Sequence, residues 1–173
     1  MPYAICIKCL NDTAAPILKL WDEASAFEVT ASMTALNYPP HLTLAVFPDH
    51  PGRIVDGLDE VFAAQPKLTI AFDGVAYFDN DLLVLWARPR RNDALMALHE
   101  KLHRHIAPAL CDPHYREGNW VPHCSLATKV PRAEVKAAIA WARQKRLDFK
   151  VEFDTADFVE FPPVRVERSY RLR

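Results

Sequence analysis

The segment Tyr38-Pro39-Pro40-His41-Leu42-Thr43-Leu44-Ala45 returns 82 residues later as Trp120-Val121-Pro122-His123-Cys124-Ser125-Leu126-Ala127. Each copy sets a histidine two positions ahead of a hydroxyl. In a strand, side chains at i and i+2 leave by the same face. His41 and Thr43 are therefore expected to project together, as are His123 and Ser125. Leu42, Leu44, Cys124 and Leu126 then face a core. Ala45 and Ala127 come next on the histidine faces and, being small, leave room for a ligand.

The same offset aligns the surrounding chain, which is what lifts the match above coincidence. In the first half, residues 3–10 read as a strand, and Asp12 or Thr13 caps a helix carrying Ile17, Leu20, Trp21 and Ala24 at helical spacing. Residues 27–37 show no clear period. A strand from about His41 to Phe47 follows, then a helix opened by Asp49 and Pro51 with Ile54, Leu58, Val61 and Phe62 on one face. Leu68, Ile70 and Phe72 alternate through a third strand. The second half repeats that order. It has a strand over 82–88, a helix capped by Asn92 or Asp93 with Leu95, Leu98, Leu102 and Ile106, and a strand over 123–129. A helix begun by Pro131 and a strand through Phe149, Val151 and Phe153 complete it. Two apolar stretches, 157–161 and 164–172, finish a sheet at the C-terminus.

Strand–helix–strand–helix–strand, twice, predicts one α+β domain over residues 1–173, built as two pseudo-symmetric lobes of about 1–80 and 81–173. The C-terminal strands are candidates for exchange between them. A pseudo-twofold between the lobes brings the two motif strands to one central cleft, with helices outside.

Composition narrows the function. A chain of 173 residues can bury a core unaided, half of it is apolar and a quarter charged. The net charge of −1 provides no global field for long duplex nucleic acid, but a short RNA end or a small nucleotide needs only local positive charge. The four glycines, at 52, 57, 74 and 118, form no dinucleotide fingerprint or phosphate loop. The opening residues carry no leader pattern and no apolar run reaches membrane length, so the expectation is a cytoplasmic protein. Cys6, Cys9, Cys111 and Cys124 are too few, and too apolar in setting, for a disulfide framework.

With His41-Leu42-Thr43-Leu44 and His123-Cys124-Ser125-Leu126 in view, the chain resembles the 2H phosphoesterase superfamily, which includes RNA 2′,3′-cyclic phosphodiesterases and the so-called 2′-5′ RNA ligases. The resemblance covers both His-x-Thr/Ser-x motifs and the element order of nearly the whole chain. It implies a bilobal fold with two antiparallel sheets lining a cleft, and phosphodiester chemistry in that cleft. The chain departs from many bacterial RNA-directed members, which carry an arginine close behind the second motif. Here Ala127-Thr128-Lys129 stands, and Lys129, six strand residues from His123, lies roughly 20 Å along the strand. The arginines of the C-terminal stretch, Arg165, Arg168, Arg171 and Arg173, also do not match the ligase-type ending.

The expected chemistry follows from the residue types. In-line displacement at phosphorus needs a base behind the nucleophile and an acid at the leaving oxygen, and imidazole titrates near neutrality. His41 and His123 are the candidate catalytic pair, and Thr43 and Ser125 the candidate donors to the non-bridging oxygens. No metal or cofactor is required. Tyr38 and Trp120, three residues before each histidine, are candidates for stacking a base or for packing. The expected partner is a small nucleotide or an RNA 3′ end, and the reaction is hydrolysis of a cyclic or internucleotide phosphodiester. Ligation at the same site and binding without turnover stay open, as does the oligomeric state.

Two other motifs compete with this reading. His99-Glu100-Lys101-Leu102-His103 has the spacing of a zinc-hydrolase helix. Yet no third ligand follows at metzincin distance, charges crowd it, and Leu98 and Leu102 look like its core positions, leaving His99 and His103 near the edge. Cys6-Ile7-Lys8-Cys9 has redox spacing, but in a strand its sulfurs face opposite sides. The basic residues Arg88, Arg90, Arg91, Lys129, Arg132 and Lys136 either steer a polyanion or form solvated faces.

Overall fold

The structure is a computed structural model that describes residues 1–52 and 54–173. It is an α+β fold of two four-stranded antiparallel sheets. The first has the order β2 (His41–Phe47), β1 (Tyr3–Lys8), β7 (Thr155–Glu160), β8 (Arg165–Arg171); the second has the order β5 (Cys124–Val130), β4 (Leu83–Pro89), β3 (Leu68–Phe78), β6 (Arg146–Phe153). The two motif strands, β2 and β5, are equivalent edge strands, and they contact each other where the sheets meet. The sheets do not follow the halves of the sequence. β3, from the first half, pairs with β4 and β6, while β7 and β8, from the end of the chain, complete the sheet begun by β1 and β2.

The helices cross over as well. α1 (Ala15–Ser25) packs on β5, α5 (Val135–Gln144) on β3 and β4, and α3 (Ile54–Phe62) against α4 (Asp93–His103). Trp21 on α1 and His103 on α4 are 82 positions apart. Each donates a ring N–H to a backbone carbonyl of the opposite motif strand, Trp21 Nε1 to Ser125 at 2.9 Å and His103 Nε2 to Leu44 at 3.1 Å. The first helix of each half therefore braces the motif strand of the other. Ile17, Leu20, Trp21 and Ala24 of α1 are buried, as are Leu95, Leu98 and Leu102 of α4, so the helical spacing in the sequence does mark the packed faces.

Local details differ from the sequence reading. The cap of the first helical segment is Asn11, one residue earlier than expected. Its Oδ1 accepts from the Thr13 amide at 3.1 Å and opens a 3-10 turn over Asp12–Ala14 that runs into α1. Within the stretch where no period is visible, Ser32–Ala35 forms the one-turn helix α2. Among the described residues, no helix is long and apolar enough to cross a membrane.

Candidate functional site

Both motif strands carry the same irregularity. β1 and β2 pair Ile5 with Ala45 and Cys6 with Thr43, passing over Leu44; β4 and β5 pair Leu85 with Ala127 and Trp86 with Ser125, passing over Leu126. A bulge directly after each hydroxyl residue reverses the alternation beyond it. This corrects the expectation for the two alanines. Ala45 and Ala127 have no exposure and belong to the core, while Val46 and Thr128 line the cavity in their place. The bulge also takes carbonyls out of the ladder. Those of Thr43, Leu44 and Ser125 accept instead from Trp120 Nε1 (3.0 Å), His103 Nε2 and Trp21 Nε1.

The cavity between the motif strands encloses about 750 Å³, and His41, Thr43, Ser125, Tyr38 and Tyr115 are among its lining residues. His123 stands beside it within aromatic neighbours. Phe78 meets the ring edge-on at 5.2 Å between centroids, Trp86 lies at 6.0 Å and the cavity-lining Tyr115 at 6.5 Å. The two motifs are close: β2 and β5 contact each other, and a charge on His123 would lower His41.

The two imidazoles are held alike. His41 Nδ1 lies 2.8 Å from the Pro39 carbonyl and His123 Nδ1 2.7 Å from the Val121 carbonyl, each two residues upstream. A carbonyl only accepts, so Nδ1 carries the proton in both rings and Nε2 is the nitrogen left to accept or release one. Their surroundings differ. Burial pushes His41 down to about 4, against the Pro39 hydrogen bond and Asp157 but with help from the charges of His123 and Lys8. Burial also lowers His123, opposed by the Val121 hydrogen bond. The Thr43 hydroxyl is 3.5 Å from the Cys6 thiol, and the Ser125 hydroxyl has no partner among the described residues.

The stacking candidates part company. Tyr38 lines the cavity and meets His41 edge-on at 5.0 Å, but its hydroxyl is committed to the Asp157 carboxylate at 2.7 Å. Trp120 is buried and lies flat on His99 at 4.0 Å, outside the cavity lining. Lys129 lines the same cavity as His41. A second register shift, between Leu83 and Leu85, falls where β5 passes Thr128 and Lys129.

Sequence reasoning missed the support beneath His41. Asp157 is fully buried and binds Lys8 Nζ at 2.5 Å, the Tyr38 hydroxyl and the Ser169 hydroxyl at 2.6 Å. Lys8 is the register partner of His41 across β1 and β2. A lysine in a strand next to a motif strand was the available signal, but its partner lies 149 residues away. Tyr115 was missed too, because it ends a single 3-10 turn, Pro113–Tyr115, too short to show a period.

His99 and His103 have structural work. His99 is 3 % exposed, not at the helix edge, because its ring is sandwiched between His103 and Trp120. Its Nε2–H donates to the Tyr115 carbonyl at 2.9 Å, which holds the cavity-lining tyrosine in place. Glu100 instead pairs with Arg104 on the exposed face. Among the described residues no group of three or more His, Cys, Asp or Glu could hold a metal ion. The basic cluster is largely matched by acids, Arg88 with Asp73, Arg91 with Asp93 and Arg132 with Asp79. All four cysteines are free and buried.

The sequence profile of the 2′-5′ RNA ligase superfamily matches residues 15–162. Among solved structures, a protein of Thermus thermophilus is similar at a TM-score of 0.68 and 17% identity, covering 100% of this chain and 98% of its own. E. coli LigT complexed with 3′-AMP gives 0.61 and 16%, covering 100% and 97%. A protein described as a phosphoesterase gives 0.64 and 16%, covering 99% and 98%. At such identities the likeness is one of fold. No curated relative matches the chain in sequence.

Proposed function

We propose that this chain, which belongs to the 2′-5′ RNA ligase superfamily, is a metal-independent phosphoesterase that opens a cyclic or internucleotide phosphodiester, at a 2′,3′-cyclic phosphate RNA end or on a small nucleotide. The observation that carries the reading is the matched pair of imidazoles, each with Nδ1–H tied to the carbonyl two residues before it and each two residues ahead of a hydroxyl. Fixed Nδ1 protons leave two Nε2 atoms for proton transfer, one as base toward the attacking oxygen and one as acid toward the leaving oxygen. Thr43 and Ser125 donate to the non-bridging oxygens, where charge grows in the transition state. The nucleotide complexes of E. coli LigT, with 3′-AMP, NADP+ and ATP, are consistent with a nucleotide ligand here. Four free cysteines suit a reducing, cytoplasmic setting.

The test is turnover of 2′,3′-cyclic nucleotides in EDTA. Turnover is expected to survive chelation and to fall by about 100- to 10,000-fold in His41→Ala or His123→Ala. Binding without turnover would make the cavity a nucleotide-binding module, and loss of activity on chelation would count against the metal-independent reading.

A further inference from the structure

Each motif imidazole is gripped twice, by the carbonyl two residues upstream and by an aromatic ring set edge-on. Tyr38 meets His41 at 5.0 Å between centroids with the planes 68° apart, and Phe78 meets His123 at 5.2 Å and 89°. The aromatic contact does not follow from the internal repeat. Trp120, the residue 82 positions after Tyr38, lies on His99, and Phe78 comes from β3 instead. A contact rebuilt from a different element at the second histidine marks a requirement of the site.

The two rings are anchored by different means. Phe78 stacks on Trp86 at 5.0 Å, and Trp86 is the register partner of Ser125. Tyr38 belongs to a small apolar cluster with Ala4, Cys6 and Val159, which a phenylalanine would fill as well. Its hydroxyl nevertheless donates to Asp157 Oδ2 on β7, at 2.7 Å. Lys8 Nζ lies 2.5 Å from the same oxygen and 5.2 Å from the centre of the Tyr38 ring, while the Ser169 hydroxyl fills Oδ1. A buried ion pair is often no better for stability than apolar residues of the same volume. Stability alone therefore does not account for this one, whereas its geometry fixes Tyr38. Asp157 favours a proton on His41 and Lys8 opposes it, so the pair steadies the ring while its two charges act on it in opposite senses.

Resting on the phosphoesterase reading above, we infer that Asp157 is a positioning residue for His41: its carboxylate anchors the Tyr38 hydroxyl, and the anchored ring keeps the imidazole seated on the Pro39 carbonyl. Asp157 touches no reacting atom in this role. It acts from the far end of the chain on a histidine 116 positions earlier, through one phenol.

The experiment pairs kinetics on a 2′,3′-cyclic nucleotide with the ¹⁵N signals of the His41 and His123 rings, recorded while both are neutral. In the parent protein both rings should show the Nδ1–H tautomer. Tyr38→Phe cuts the link and keeps the ring, the Lys8–Asp157 pair and the apolar cluster. It should lower kcat on the order of tenfold with KM within about twofold, since a small misplacement of a reacting group is costly in rate. Its His41 signals should move toward the average of the two tautomers, and those of His123 should stay. Adding Lys8→Met and Asp157→Leu together to Tyr38→Phe should bring no further loss of kcat, because the link is already cut. A merely structural role would lower Tm and leave kcat and the His41 signals of Tyr38→Phe at parent values, and that result overturns the inference. If the parent turns over no diester, the phosphoesterase reading fails and the ¹⁵N signals decide alone: unchanged His41 tautomer in Tyr38→Phe overturns the positioning role, and averaging supports it.

Discussion

The surroundings of each proposed catalytic residue set what its replacement should do, and the effects on rate can be stated separately. Both imidazoles sit below their ordinary value because burial disfavours the charged ring. A base must be neutral and an acid protonated, so the productive state of the pair is centred on the acid side of the usual histidine value. The pH profile of kcat/KM is accordingly expected to peak below about pH 6.5, and a maximum above about pH 7.5 would contradict it. Thr43→Val and Ser125→Ala should each lower kcat by about 100- to 1,000-fold with little change in KM, if the hydroxyls serve the transition state. Lys8→Met is expected to be harsh, because it leaves the fully buried Asp157 carboxyl without its cation. Removing one partner of such a pair typically costs about 3–5 kcal/mol, to be read from denaturant unfolding.

Among the secondary elements, the paired bulges in β2 and β5 decide which side chains reach the cavity, and nearby polar groups secure them. Past its second register shift, β5 presents the Thr128 and Lys129 amides to the Glu28 carboxylate, at 3.0 and 2.7 Å. The same carboxylate accepts the Ser32 amide at the start of α2, at 2.9 Å. Glu28 thus joins α2, which carries the cavity-lining Ser32, Met33 and Ala35, to the motif strand. Glu28→Ala should cost about 2 kcal/mol, because hydrogen bonds to a charged acceptor are the stronger kind. It should also raise KM more than it lowers kcat, since the wall moves and the histidines do not. Hydrogen exchange of residues 128–129, faster than in the parent protein, would locate the effect; unchanged exchange there would refute it.

Over the whole molecule, strand exchange and helix crossing tie the halves together. We propose that segments 1–80 and 81–173 expressed alone stay unfolded and acquire sheet structure on mixing, as circular dichroism would show. Each segment alone lacks strands of its own sheet. Acid should also weaken the fold. His41, His99 and His123 all lie below 6.5 in the native state because burial opposes their charge, so the unfolded chain binds more protons as pH falls from about 6.5 toward 4. Stability is then full above about pH 6.5 and declines through that window, a drop in Tm that calorimetry at about pH 7 and about pH 5 would register.

Much was legible before any coordinates. Period-two and helical spacing located the strands and the buried faces of α1, α3 and α4, and the 82-residue offset exposed the pseudo-twofold. These are local properties, written wherever a side chain's face follows from its position in a regular element. Two bulges escaped notice, because one extra residue in a strand leaves no mark on composition, and with them the burial of Ala45 and Ala127. The same limit applies to Lys8 with Asp157 and to Tyr115 held by His99. Such contacts join residues far apart in sequence, and only the packing of the two sheets decides which distant groups share a cavity wall.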